Sequence, residues 1–396
     1  MPLYIKHNDE WKSLPRPYVK HGGAWKQTEQ VYVNHDGEWK KIFPEGFVYF
    51  SGANHESKAT IRRLNPETGA VEALMTHGSL IGHERTNIAI HPTLHYLFQQ
   101  RHHASLMNPQ TMGGVCGVHV NRYLRVHYNT TTGGTNHGLV VHPTEPWVFV
   151  WMFYNTSNNN IWSHVVKLDY ENMVQFFDYN ENELRWTWQH IGDNHYMVGS
   201  YTSNRLYIFN GFLYAGRGSN GLRKINMNDM STDAQINFSW LSSWPTGTGS
   251  HVISFADDGT NLFLGPHNHG IMKVNPNTLD FIDGYECNKI HAMTYGGGYI
   301  YAGVDSPREE PTCNSRIIKV NPSNMTLVDE LDTIGTIRDL AYDDETDSIY
   351  SSSLGGTVHK IKCSDMSITW THSQQLSRAV GILYHKGFPT SFPGCP

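Results

Sequence analysis

HVISFADDGTNLFLG, residues 251–265, joins two apolar runs through Asp-Asp-Gly, and Lys273-Val274-Asn275-Pro276 follows it closely. The first piece alternates β-branched and aromatic residues around hairpin punctuation. The second reads as a strand that ends in a tight turn. Asn caps its own backbone two residues on, and Pro pre-sets the φ of a type I turn.

Both pieces recur. The turn piece reads Arg63-Leu64-Asn65-Pro66, Leu106-Met107-Asn108-Pro109, Lys167-Leu168-Asp169-Tyr170 and Lys224-Ile225-Asn226-Met227. It continues as Lys273-Val274-Asn275-Pro276, Lys319-Val320-Asn321-Pro322 and Lys360-Ile361-Lys362-Cys363, with gaps of 43, 61, 57, 49, 46 and 41 at the third position. Upstream stand IAIHPTLHYLF (88–98), LVVHPTEPWVFV (139–150), IHAMTYGGGYIYAG (290–303) and IRDLAYDDETDSIYSSS (337–353). Another short strand follows each turn, as in Thr278 to Ile282. About four strands per repeat of roughly 50 residues predict an all-β chain, a seven-bladed β-propeller over 47–396. FVYFSGAN (47–54) lacks an innermost partner and RAVGILYHKG (378–387) lacks a second strand. Joining them completes a split blade and closes the ring, which removes an open sheet edge.

Bulk properties agree. Charged residues are 17% of the 396, while Gly and aromatic residues are abundant. The formal charge is −6 with 24 histidines neutral, so no basic field for nucleic acid is expected. The histidines make the surface more cationic only below about pH 6.5. The first residues, MPLYIKHNDE, carry no apolar signal-peptide core, and no run reaches about twenty apolar residues. Secretion and membrane insertion are not expected, nor are sugars on Asn129, Asn155, Asn237 and Asn324. The five cysteines stand singly and read as free thiols.

Residues 1–46 are different. Tyr4, Tyr18 and Tyr32 are evenly spaced, as are His7, His21 and His35, and Trp11, Trp25 and Trp39. Each copy reads as a hairpin turning at Asn8-Asp9, Gly22-Gly23 or Asp36-Gly37. A lone hairpin is marginal in water, and three make only some forty residues, near the floor for independent folding. The aromatic residues Tyr4, Trp11, Tyr18, Trp25, Tyr32 and Trp39 therefore need a surface to pack on: each other, the propeller, or neighbouring subunits.

The pattern Tyr18-Val19-Lys20 with Gly23 and Trp25-Lys26, repeated at Tyr32-Val33-Asn34 with Gly37 and Trp39-Lys40, resembles modules of bacteriophage tail and tail-fibre proteins. The first copy departs by carrying Asp9 where Gly is usual. The resemblance covers about a tenth of the chain. It implies a virion protein, assembled in the host cytoplasm within a homo-oligomeric assembly, with other virion proteins as partners. The propeller would face a host glycan or protein receptor, or a neighbouring subunit.

Candidate chemistry is sparse. His137, His251, His291, Arg338 and Arg378 open innermost strands and read either as donors to an anionic group or as a solvated channel wall. The stretch WMFYNTSNNNIWSHVV (151–166) places Trp151, Tyr154 and Trp162 beside Asn and Ser, which suits glycan or protein contact or else covers a blade edge. The adjacent pairs Asp257-Asp258, Glu309-Glu310 and Asp343-Asp344 sit in turns and read as punctuation. No HExxH, GxSxG or P-loop is present, so no catalytic residue, metal or cofactor is expected. The alternative is a glycosidase or lyase acting on host polysaccharide, which requires two carboxyls converging in the channel.

Overall fold

The computed structural model describes residues 46–54, 58–79, 87–92, 97–100, 104–107, 114–118, 135–155, 161–169, 186–193, 205–217, 221–236, 252–266, 270–305, 315–333, 335–373 and 376–386. It also describes the short strands between residues 3 and 41; in these and several other strands only the backbone is described. Every regular element among them is a β-strand, and none is a membrane-spanning helix.

Six four-stranded antiparallel sheets follow one another in chain order, spanning 87–118, 135–193, 206–236, 252–285, 290–333 and 337–373. A further sheet is composite: Leu376–Lys386 pairs with Gly46–Asn54, which continues to Lys58–Leu64 and Val71–Ser79. The first strand of each sheet lies against that of the next, and Leu376–Lys386 lies against both Ile337–Asp343 and Asn87–Ile90. The chain is a β-propeller. Separately, Leu3–His7 pairs with Glu10–Leu14, Tyr18–His21 with Ala24–Gln27, and Tyr32–His35 with Glu38–Lys41.

Sequence explains the radial order. Val252–Asp257 and Leu262–Pro266 are nearly continuous apolar runs and are buried almost throughout, because neighbouring sheets cover both faces. Phe281–Tyr285, outermost in the same sheet, is half exposed. The apolar clusters lie between sheets: Phe263 and Ile271 of one pack with Ile290, Ile300 and Val304 of the next.

The turn motif has a defined geometry. The side chains of Asn65, Asn226, Asn275 and Asn321 accept the N–H two residues on, at 2.8–3.0 Å. The residue four past this position, Gly69, Met230, Leu279, Met325 or (after Lys362) Met366, takes a positive φ between 49° and 68°. An L residue there is strained. Met230, Leu279, Met325 and Met366 are each no more than 4% exposed, so their burial offsets the strain. At Gly69 the space of a side chain is filled by Trp370, whose ring lies 2.7 Å from where a Cβ would stand.

The basic residue of the motif is a tether between sheets. Lys167 Nζ donates to the carbonyl of Met227 at 3.0 Å, Lys273 to Pro322 at 3.0 Å, Lys319 to Cys363 at 2.7 Å and Lys360 to Pro66 at 3.1 Å. Each acceptor is the fourth residue of the next sheet's motif. Lys167, Lys224 and Lys319 also lie over Trp147, Phe212 and Tyr299, at 3.3, 3.8 and 4.2 Å from the ring centre. The aromatic body shields the ammonium while the carbonyl satisfies it.

Close approach of the sheets is set by glycine in the second strand. A Cβ on Gly216 would stand 2.3 Å from the Val252 carbonyl oxygen, and one on Gly303 would stand 2.5 Å from Ile337. The Gly216 obstacle is backbone and yields only if two sheets separate. Gly216→Ala is therefore expected to destabilise by at least the ~1–3 kcal/mol of ordinary overpacking, read as a lower urea midpoint. A midpoint equal to the parent's would show that this seam is slack.

Candidate functional site

Innermost strands carry a repeated irregularity. The register with the second strand slips between Asn136 and Gly138, Val252 and Ser254, Ile290 and Ala292, and Ile337 and Asp339. The skipped residues are His137, Ile253, His291 and Arg338. A bulge re-aims its side chain and bends the strand. Three of the imidazole and guanidinium candidates thus share one structural position. His291 is 2% and Arg338 5% exposed, and neither lines the central cavity. The expected ring of open donors is accordingly not found at these two residues; the bulge carries them into the packed ring. The side chains of His137 and Arg378, and all of His251, lie outside the described residues.

Farther along the same strands is a cavity of about 370 Å³. It lies on the ring axis, since Ile88, Val140, Leu206, Phe255, Met293 and Leu340 come from the first strands of the six successive sheets and Ile382 from Leu376–Lys386. Tyr207, Ser254, Asp257, Thr294, Tyr295 and Asp339 supply its polar wall. Tyr207 donates its hydroxyl to Asp257 Oδ2 at 2.5 Å and stacks on Phe255, with centroids 5.7 Å apart and planes 9° from parallel. Burial and the Asp257 carboxylate push the Tyr207 phenol well above its ordinary range, so it stays protonated.

Asp339 is the residue just past the Arg338 bulge. Its Oδ2 accepts the Ile382 N–H and its Oδ1 the Leu340 N–H, both at 3.0 Å. It thereby links the last sheet of the chain order to the closing strand across the channel wall. Desolvation pushes its carboxyl up to about 7, and the two backbone bonds oppose that shift only in part.

Other expectations meet mixed outcomes. Trp151 was expected to offer a stacking face; it is 1% exposed, its indole N–H donates to the Gly216 carbonyl at 3.0 Å, and Arg205 lies over its ring. It is a core residue. The stretch around it is an extension of paired strands, with Trp147–Asn155 in unbroken register against Ile161–Asp169. The side chains of Tyr154 and Trp162 lie outside the described residues, as do those of Tyr4, Trp11, Tyr18, Trp25, Tyr32 and Trp39. Asp258 is turn punctuation, accepting the N–H groups of Thr260 and Asn261. Asp257 was read the same way and does accept the Gly259 N–H, yet it also belongs to the cavity wall. In the His-Pro-Thr turn, His142 Nδ1 accepts the N–H of Thr144 and of Glu145, so this histidine serves the turn.

The sequence reading missed Asp339, Tyr207, Phe255 and Tyr295. The signal for Asp339 was its place beside Arg338, but only the bulge assigns the two residues to different environments.

No protein-family model matches the chain, and no curated protein matches it in sequence. Among solved structures it is similar to dihydro-heme d1 dehydrogenase NirN in complex with DHE, with TM-score 0.53, 9% identity, and coverage of 84% of this chain and 74% of that one. It is also similar to a chain of the mitotic checkpoint complex, with TM-score 0.54, 10% identity, and coverage of 77% and 87%. At such identities the likeness shows the fold alone.

Proposed function

We propose that the chain is a structural protein of a bacteriophage virion, of the tail fibre, baseplate or collar region, attached through residues 1–46 and presenting a seven-bladed ring. The observation that carries this reading is the N-terminal triplet. Its three strand pairs share one register, with Trp11, Trp25 and Trp39 opposite residues 6, 20 and 34. Each pair is a sheet of its own. Isolated two-stranded sheets of this size need a partner surface, and a virion lattice supplies one. The count of seven rests on the composite sheet taking its place between the first and last sheets of the chain order.

The outer rim suits a packed assembly. Val71, Phe281, Leu327 and Ile368, on outermost strands opposite Leu64, Val274, Val320 and Ile361, are 37–42% exposed and repeat one apolar position around the ring. Deleting residues 1–45, which spares Gly46 of the composite sheet, should leave the ring's melting temperature unchanged and abolish incorporation into particles. Particles that still take up the truncated protein would refute the anchor.

One observation favours a second reading, a polysaccharide-cleaving propeller. Asp257 and Asp339 share the cavity wall, and a carboxyl raised to about 7 is suited to donate a proton. Release of reducing sugar from host envelope polysaccharide, lost in Asp339→Asn, would establish it; no release would exclude it.

A further inference from the structure

The axial cavity has a charge pattern that selects its ligand. Among the described residues its wall holds two carboxyl groups, Asp257 and Asp339, and no lysine, arginine or histidine. The buried guanidinium of Arg205, just before the innermost strand Leu206–Phe209, lies over the Trp151 ring at 4.9 Å. Asp339 has two backbone N–H partners and no salt bridge among the described residues. A carboxylate in a recess of low dielectric without a counter-charge raises the potential energy of its ionised form, and a cation entering the recess reverses that.

The remaining wall suits an organic cation better than a sugar. Sugar hydroxyls are well matched by amide and guanidinium groups, and among the described residues the wall holds no Asn, Gln or Arg. Its hydroxyls are those of Tyr207, Ser254, Thr294 and Tyr295. Ser254 Oγ is buried and without a hydrogen-bond partner, and Tyr207 is already committed to Asp257. By contrast, Ile88, Val140, Leu206, Met293, Leu340 and Ile382 form an apolar face, and Phe255, Tyr207 and Tyr295 add aromatic surface. Alkyl groups fit the first and a diffuse positive charge fits the second. A cavity of about 370 Å³ is near the small end for ligand sites.

We propose that the axial cavity binds a small organic cation of the alkylammonium class, its charge held by Asp339 and Asp257 and its alkyl groups by the apolar wall. The site is independent of where the protein resides, so its failure leaves the anchor untouched and the reverse also holds.

Choline and its neutral isostere 3,3-dimethylbutan-1-ol provide the test, by calorimetric titration of the full chain. Saturable choline binding is expected, with the isostere at least about tenfold weaker because only the charge differs. Asp339→Asn should reduce choline affinity by about the same factor and leave the isostere unaffected. The unaltered protein gives a second readout that needs no variant. Choline affinity should fall below pH 7, as Asp339 protonates; Tyr207 and Tyr295 stay neutral there because burial raises both. Asp257 is the only other acid on the wall among the described residues. Equal binding of choline and the isostere, pH-independent choline binding, preference for a neutral saccharide, or no saturable binding would each overturn the proposal.

Discussion

Lys360→Met should destabilise the ring by about 3–5 kcal/mol, the cost of removing the cation from a buried ion pair. Asp343 then keeps only neutral donors, among them the Tyr350 and Thr346 hydroxyls and the Glu345 N–H. Lys360 Nζ lies 3.8 Å from Asp343 Oδ2, and Asp343 is 1% exposed. The same ammonium donates to the Pro66 carbonyl at 3.1 Å, which also accepts from the Trp370 indole at 3.1 Å and the Tyr350 hydroxyl at 3.3 Å. Loss of Lys360 therefore acts on the last sheet of the chain order and on the closing sheet together. Lys273→Met removes a similar carbonyl bond, at 3.0 Å to Pro322, without stranding a carboxylate. It should cost about 1.5–3 kcal/mol, the range for a hydrogen bond to a charged group. Urea unfolding of the two variants makes the comparison, and adding Asp343→Asn to Lys360→Met should recover part of the loss. Equal costs for the two lysines, or no recovery, would show that Asp343 needs no cation.

Leu279→Ala should cost about 2–5 kcal/mol, and Leu279→Gly should cost less than Leu279→Ala. That order inverts the usual one, in which glycine is the worse replacement. Leu279 is 1% exposed and has φ = 63°. Alanine loses the buried side chain and keeps the backbone strain, whereas glycine loses the side chain and releases the strain. The difference between the two variants is expected near ~1 kcal/mol. If glycine proves worse than alanine, the left-handed turn is not where the strain resides.

The fold was legible because its signals are local. Asn275-Pro276 and its relatives specify a turn by side-chain capping, and runs such as Leu262 to Leu264 specify strands covered on both faces. The closing pair was legible because FVYFSGAN and RAVGILYHKG each lacked a neighbour in sequence. The tethering role of Lys167, Lys273, Lys319 and Lys360 was not, since its acceptors sit 44 to 294 residues away. The cavity was least legible. Tyr207, Asp257, Tyr295 and Asp339 belong to four separate sheets, and nothing in their local sequence sets them apart from turn or core residues. Trp151 misled for a related reason: an aromatic residue beside Asn and Ser looks like surface until the register shows it paired in mid-strand, against Val165.

The composite sheet fixes an order of events during synthesis. Ser51 donates to the Gly381 carbonyl across 330 residues of chain. Strand Gly46–Asn54 is among the first ring segments to leave the ribosome and waits for Leu376–Lys386, nearly the last. Until then its inner edge is unpaired and every other sheet sits in an open arc. A chain halted anywhere before residue 376 is thus left with an adhesive edge and no means of covering it, which makes translation through that strand the step that commits the protein to a closed ring.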